Sequence, residues 1–190
     1  TRRARSALAI TSSELAAMWQ VPVVVHAGGN VKRLILGQAP QQVDFPGCVP
    51  VVANGGDTGY YRVHYDAANM ARLRAAYSVL PATERIGLVA DTMALARSGR
   101  IEFAEYFRLL DAMRDEREGA VWQQVIENLA YLDDVFAGTP TQKSVRAYGR
   151  SLLRPVMSRL GWQPQPGEDA GTLRVRASLI DALGRFDDAD

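Results

Sequence analysis

Cysteine and histidine are the scarcest chemically useful residues in this sequence. Cys48 is the only cysteine among 190 residues, which excludes an internal disulfide. A lone cysteine beside Val49 is typical of a small buried apolar side chain, and we expect Cys48 to be one rather than a nucleophile. The two histidines, His26 and His64, have no partners at ligand spacing, so we expect this chain to bind no zinc and no other metal.

An excess of charge of either sign is also absent. The chain has 22 basic and 21 acidic residues and a net charge of +1, which gives no electrostatic reason to expect nucleic acid or an anionic membrane as a partner. Only two of the basic residues are lysines, and the scattered arginines indicate a GC-rich genome rather than carboxylate recognition. No apolar run approaches the roughly 20 residues that span a membrane.

The first twenty residues, TRRARSALAITSSELAAMWQ, have an apolar run that is too short and broken for a signal peptide. The chain opens without methionine, and we expect it to be a piece of a larger, soluble protein of the bacterial cytoplasm or periplasm. Its apolar content of 47% and charged content of 23% are typical of soluble globular domains.

Residues 1–65 carry β patterns. Short runs rich in β-branched and aromatic residues are separated by turns of glycine, proline and asparagine. They predict four strands, over residues 21–25, 31–37, 48–54 and 59–65. Such a series is typical of an antiparallel sheet or of half a β-sandwich.

From Asp66 onward the apolar period becomes helical, and Asp66 is a good N-cap. Six helices are predicted, over residues 67–80, 82–99, 101–116, 120–138, 142–161 and 172–186. Pro155 should kink or split the fifth. The fold class is therefore α+β, mostly α: a short antiparallel β-sandwich portion followed by antiparallel helix hairpins that form an irregular α-superhelix of the armadillo or HEAT kind.

The stretch NGGDTGYYRVHYD, residues 54–66, joins the β part to the helical part. Its asparagine and glycines are typical of a turn, and the following residues alternate between two faces. We predict that residues 60–65 form an antiparallel strand paired with residues 49–53, and that Asp57 is exposed in the turn. If Gly59 has a positive φ, its replacement should be costly.

The letters Asp57-Thr58-Gly59 can also mark an aspartic peptidase. Such an enzyme needs two aspartates that share one proton, and the sequence has one Asp-Thr-Gly triplet. Turn chemistry is the favoured interpretation, and catalysis through Asp57 is the third-ranked alternative.

Residues 54–66 resemble the N-x-x-x-x-G-Y-Y-R-V-x-Y-D segment of the large zinc aminopeptidases of the puromycin-sensitive, endoplasmic-reticulum and membrane-alanyl types, in the gluzincin group. Four other segments resemble the family in the same order: MWQVPVVV, ERIGLVADTMALARSGRI (with Glu84 where Asp is common), VWQQVIENLAYL and LGWQPQPGEDAGTLRVRASLIDAL. The resemblance covers nearly the whole chain. The motif residues, for which we expect a structural role, are Gly59, Tyr60, Tyr61, Arg62, Tyr65 and Asp66.

The resemblance implies that residues 1–65 are the end of a β-sandwich domain and residues 66–190 the first part of an α-helical C-terminal domain, which in the family shapes an internal peptide chamber. The family's H-E-x-x-H and G-x-M-E-N motifs are absent, so no catalytic, metal-binding or substrate-binding residue carries over. We expect a non-catalytic segment of a zinc metallo-aminopeptidase, a hydrolase that removes N-terminal residues from peptides. It would buttress the catalytic domain of the same parent chain, which would hold the zinc, and it would wall the chamber around peptide substrates. The alternative is a stand-alone helical-repeat scaffold that binds protein partners.

Bland roles are expected for the remaining polar residues. His26 and His64 should be surface or hydrogen-bonded strand residues. Arg62 should anchor the junction of sheet and helices by pairing with an aspartate or with the capped helix. Two acidic pairs are expected to be solvated helix-end charges: Glu116 with Glu118, and Asp133 with Asp134.

Overall fold

The computed structural model describes residues 20–188, which form two compact units divided between Met113 and Arg114. The first unit contains strands β1 (Val21–Ala27), β2 (Asn30–Leu36) and β3 (Val51–Val52), and helices α1 (Ala67–Ala75), α2 (Ala82–Arg97) and α3 (Phe103–Ala112). The second contains α4 (Gly119–Val135), α5 (Pro140–Leu160) and α6 (Ala170–Arg185). Short 3-10 turns lie at Gly55–Asp57 and Tyr77–Val79. Trp19, which belongs to the family-like MWQVPVVV segment, lies outside the described residues.

The three strands form one antiparallel sheet in the order β2–β1–β3. β1 and β2 are joined by Gly28 and Gly29, whose φ angles of 53° and 82° are readily adopted only by glycine. The alternate residues of β1 face one buried apolar cluster. That cluster consists of Val23, Val25, Ala27, Leu36, Phe45 and Val51.

The predicted fourth strand is wrong, and β3 is two residues long rather than the seven predicted over 48–54. Side chains form hydrogen bonds with the backbone N–H and carbonyl groups of β3 and Ala53 that a fourth strand would need. The Asn69 amide donates to the carbonyl of Val51 at 2.7 Å and accepts from its N–H at 3.0 Å. The hydroxyls of Tyr65 and Tyr61 bond the N–H and the carbonyl of Ala53 at 3.0 and 2.9 Å. A strand ladder therefore has nothing left to pair with at these two residues.

The first helix begins where the sequence predicts it, because Asp66 caps α1, although the last strand already ends at Val52. Its backbone is extended (φ −63°, ψ 161°), and its side chain accepts the N–H of Asn69 at 2.6 Å. α1 ends sooner than predicted, at Ala75, and a 3-10 turn fills the space before Pro81. At the other end of α2, Gly99 has a φ of 69°, as expected of the glycine that follows a helix C-cap.

In the second unit, α4, α5 and α6 each pack against the other two. Apolar side chains from all three helices and the residue after α6 are almost completely buried there. The largest are Trp122, Leu129, Leu132, Leu153, Leu179 and Phe186.

The fifth helix is not split at Pro155: α5 continues unbroken from Pro140 to Leu160. Pro155 and Ser151 both lie on the exposed side of the helix, so the Ser151 carbonyl that loses its N–H partner can bond water. Leu152, Leu153 and Val156 on the other side are buried and hold both halves in place.

The fold is α+β and mostly helical, with one small antiparallel sheet in the part of the chain that the structure describes. Within residues 20–188, none of the helices is long and apolar enough to cross a membrane.

Candidate functional site

Residues 54–66, here called the motif segment, begin with a turn closed by the side chain of Asn54. Its Oδ1 accepts the N–H of Gly59 at 2.8 Å. Its Nδ2 donates to the Gly59 carbonyl and to Oδ1 of Asp57, both at 3.0 Å. Gly56 and Asp57 have φ angles of 72° and 54° inside this turn, a conformation favoured by glycine and tolerated by aspartate. Asn54 is only 5% exposed, so its amide is committed to this turn.

Gly59 is needed for space rather than for a positive φ, contrary to the conformation considered from the sequence. A Cβ atom on Gly59 would lie 2.0 Å from Cε1 of the Tyr61 ring. The Tyr61 hydroxyl in turn donates to the carbonyl of Ala53. Burial raises the pKa of Tyr61 and that of Tyr65 above the ordinary value for tyrosine, so both hydroxyls are protonated at neutral pH.

Asp91 ties the motif segment to α2. Its Oδ1 accepts from Nη1 of Arg62 and its Oδ2 from the N–H of Val63, each at 2.9 Å. Burial raises the pKa of Asp91, although the bonds from Arg62 and Val63 oppose the rise. Asp91 is thus bonded to both groups of the segment, and an aspartate is one of the two partners of Arg62 considered from the sequence.

The predicted alternation of side chains is present although the strand is not. Tyr61, Val63 and Tyr65 face inward, while Tyr60 and His64 are exposed. Tyr60 is completely exposed and forms no hydrogen bond with the rest of residues 20–188. The two inward tyrosines thus bond Ala53, and the N–H of Val63 bonds α2 through Asp91.

The side chains present do not fit a hydrolytic zinc site, which needs about three protein ligands and an open position. Across residues 20–188, no three His, Cys, Asp or Glu side chains are grouped so that they could hold a metal ion. Nδ1 of His26 bonds Oε1 of Glu84, and His64 is exposed on the motif segment rather than in a strand. Cys48 is exposed, so the expectation of burial is wrong; the bend at Gly47, with a φ of 78°, places it at the surface.

Asp57 is exposed in the turn, as predicted, and its geometry does not favour an aspartic peptidase. Its Oδ1 accepts from Asn54, and both oxygens of the neighbouring Asp91 accept from Arg62 and Val63. Two carboxylates that share one proton would need these oxygens free to face each other.

Two acidic residues expected to be solvated are buried instead. Glu116 is 6% exposed, and its Oε1 accepts the N–H groups of the next two residues, both at 2.8 Å, at the start of α4. Asp133 is 2% exposed and accepts from Arg146 at 2.6 Å and Arg185 at 3.1 Å. Burial opposes ionisation of Asp133, but the bonds from Arg146, Arg185 and Gln142 outweigh it and lower the pKa.

Sequence reasoning missed Asn69 and Asp91 as parts of this site. Asp91 had a detectable signal, because it is an acid in the middle of α2 among apolar residues, where an unpaired charge would be costly. Asn69 had none beyond its place in the first turn of α1, since its partner Val51 lies 18 residues away.

Comparison with known protein families and sequences gives consistent matches. The family model described as ERAP1-like C-terminal domain matches residues 50–190. The chain is 29% identical over 178 residues to a puromycin-sensitive aminopeptidase of Caenorhabditis elegans, an alignment that covers 88% of this chain and 19% of the relative.

Two further relatives show the same pattern. Aminopeptidase M1-A of Oryza sativa subsp. japonica is 32% identical over 137 residues, which are 70% of this chain and 16% of the relative. Aminopeptidase N of Plutella xylostella is 30% identical over 122 residues, which are 62% of this chain and 13% of the relative. The chain spans less than a fifth of the length of each of these proteins.

Proposed function

Because this chain belongs to the ERAP1-like C-terminal domain family, we propose that it is a non-catalytic segment of a zinc aminopeptidase. The observation that carries the proposal is the family match over residues 50–190, joined to alignments in which most of the chain corresponds to a small fraction of much longer aminopeptidases. The parent protein would remove N-terminal residues from peptides.

The role we propose for the segment is to buttress the catalytic domain and to wall the peptide chamber. In support, the hydroxyls of Tyr61 and Tyr65 and the N–H of Val63 are used for internal bonding. The exposed residues of the segment include Asp57, Thr58, Tyr60, Arg62, His64 and Asp66. We assign Gly59, Tyr60, Tyr61, Arg62, Tyr65 and Asp66 to this structural motif. Residues 1–65 would end a β-sandwich domain, and residues 66–190 would begin an irregular α-superhelix.

The chemistry of the parent would depend on a zinc ion held outside this chain. Neither histidine belongs to an H-E-x-x-H sequence, and His26 is already paired with Glu84. The segment would therefore contribute shape and rigidity to the active site and no ligand or proton-transfer group. Its partners would be the catalytic domain of the longer parent chain and the peptide substrates.

The parent reading frame distinguishes this proposal from a stand-alone helical-repeat scaffold. An H-E-x-x-H motif upstream in the same frame supports the aminopeptidase segment. A frame without that motif would contradict the aminopeptidase segment.

The functional test compares the full-length parent with a version that lacks residues 66–190. We expect the shortened protein to retain its zinc, because the ligands lie elsewhere, and to lose hydrolysis of peptides. Zinc content by elemental analysis and release of N-terminal residues from a decapeptide are the two measurements. Unchanged peptide hydrolysis would show that the segment neither buttresses the catalytic domain nor walls the chamber.

A further inference from the structure

A cavity of about 280 Å³ lies beside the β1–β2 hairpin, within the first unit. Its walls are mostly apolar and come from the hairpin turn, from β3 and from the stretch between α1 and α2. Its apolar lining residues include Val31, Val52, Val79, Leu80 and Pro81. Its volume is near the lower limit of about 300 Å³ for small-molecule sites, so it suits a short aliphatic group rather than a large ligand.

The cavity contains one carboxylate with an oxygen to spare. Glu84, in the first turn of α2, lines it and is only 4% exposed. Oε1 of Glu84 bonds His26, whereas Oε2 has no hydrogen-bond partner among residues 20–188. This oxygen is not among the fully buried polar atoms without a partner in residues 20–188, so it remains open to the cavity. A donor that enters the cavity could therefore bond it.

His26 holds the carboxylate in position. The backbone of His26 is paired with Val52 in the sheet. The His26 ring packs against Gly55, where an added Cβ would lie 2.6 Å from the Cδ2 and Nε2 atoms of that ring. Glu84 is the one carboxylate among the residues that line the cavity. The residues that line the cavity include neither lysine nor arginine, so His26 is the one basic side chain of the described wall that pairs with this carboxylate.

We propose that this cavity binds an alkyl cation, meaning an ammonium or guanidinium group on an aliphatic stem. The charged group would donate to Oε2 of Glu84, a charge-assisted bond of the stronger kind. The methylene stem would lie against the apolar wall formed by Val79 and Leu80. Such a group could belong to a free amine or to a lysine or arginine side chain of a peptide, and the inference does not depend on the proposed aminopeptidase function.

The first test titrates the intact chain with n-butylammonium, n-butanol and butyrate, three probes of similar size and different charge. Binding is followed by calorimetry and by the NMR signals of the His26 ring. We expect saturable binding of n-butylammonium only. Equal affinity for n-butanol, or no saturation by any probe, would overturn the proposal.

Two variants locate the binding. Glu84→Gln removes the charge and should weaken n-butylammonium binding by about tenfold or more, the usual effect of losing a hydrogen bond to a charged group. Val79 lines the cavity and is 80% exposed. Val79→Trp replaces it with a much larger side chain, which should block entry of n-butylammonium without altering Glu84. Glu102→Gln, at an exposed acid before α3, is the matched control and should bind normally. If Glu84→Gln fails to fold, as judged by circular dichroism, Val79→Trp decides; retained affinity in either folded variant contradicts the assignment.

A peptide arm identifies the source of the cation. An acetylated and amidated pentapeptide, Ala-Ala-Lys-Ala-Ala, is compared with the same peptide that carries norleucine in place of lysine. Binding of the lysine peptide at least tenfold tighter than that of n-butylammonium would assign the cavity to a basic side chain of a polypeptide. Tighter binding of the free amine would assign it to a small molecule, and equal binding of the norleucine peptide would overturn the role of the charge.

Discussion

At the scale of single residues, the motif segment is held by polar side chains that bond backbone groups. Asn54 bonds both backbone groups of Gly59, Asn69 both those of Val51, and the two tyrosine hydroxyls both those of Ala53. A buried backbone group without a partner costs about 1–3 kcal/mol. Removing any one of these side chains should therefore lower the free energy of unfolding by at least that order.

Gly59→Ala tests the packing at this turn. The new Cβ would displace the Tyr61 ring and with it the bond to Ala53, so we expect a loss of about 1–3 kcal/mol in the free energy of unfolding. Gly37→Ala is the matched control, because that glycine has open space around its Cβ position and no positive φ. Urea unfolding midpoints provide the measurement. Equal effects of the two substitutions would contradict the close approach of Tyr61.

Asp133→Asn tests the buried acid of the second unit, and the sign of its pH dependence follows from its lowered pKa. The ionised form is favoured in the folded state, so its contribution is complete above the unfolded pKa of about 3.9 and is lost as the pH falls through the lower folded value. We expect Asp133→Asn to cost about 1–3 kcal/mol at pH 7, through weaker bonds to Arg146 and Arg185. The variant should lose less stability than the wild type between pH 7 and pH 3.

The neighbouring Asp134→Asn is the control for that experiment. Asp134 also pairs with Arg185, but it is 67% exposed, and an exposed ion pair contributes about 0–1 kcal/mol. Urea unfolding at both pH values compares the three proteins. The same pH profile for Asp133→Asn and the wild type would refute the role of Asp133.

At the scale of elements, the helix starts differ in how they are capped. Asp66 and Asp169 accept N–H groups at the starts of α1 and α6, whereas Glu102 before α3 makes no such bond. The Asp66 cap has an additional consequence, because the residue it bonds, Asn69, also holds Val51 of β3. One carboxylate thus links the start of a helix to the end of a sheet.

Asp66→Ala should therefore cost about 1 kcal/mol or more in the free energy of unfolding, through loss of the cap and loosening of Asn69. Glu102→Ala, at a position of the same type without a cap bond, should change it by less than about 0.5 kcal/mol. Amide hydrogen exchange at Asn69 and Val51 reports the local effect. Unchanged exchange at Val51 in Asp66→Ala would show that the Asp66 cap does not stabilise the bonds between Asn69 and Val51.

At the scale of the whole molecule, each of the two units has its own core. The first combines the sheet cluster around Val25 with the helices that follow it, and the second is built from α4–α6 around Trp122. Neither unit, within residues 20–188, brings together three potential metal ligands.

The isolated chain should accordingly bind no zinc in stoichiometric amount and hydrolyse no aminoacyl substrate. Elemental analysis after dialysis against trace zinc, and release of p-nitroaniline from alanine p-nitroanilide, are the measurements. One tightly held zinc per chain, lost in His64→Ala together with turnover, would contradict the proposed non-catalytic role.

Sequence alone determined the features that depend on near neighbours: the six helices, the cap at Asp66, the β1–β2 hairpin and the alternation along residues 60–65. These follow from periods of two and 3.6 residues and from turn chemistry, which act over a few positions. The family resemblance was also legible there, because motif order survives in the linear chain.

Only the tertiary structure decided which polar groups meet. Val63 and Asp91 are 28 residues apart, and His26 and Glu84 are 58 apart, so no local pattern encodes their contact. The same long-range packing replaced the expected fourth strand with side-chain bonds and buried Glu116 and Asp133. The physical reason is that hydrogen bonds and desolvation depend on distance in space, whereas a sequence displays distance along the chain.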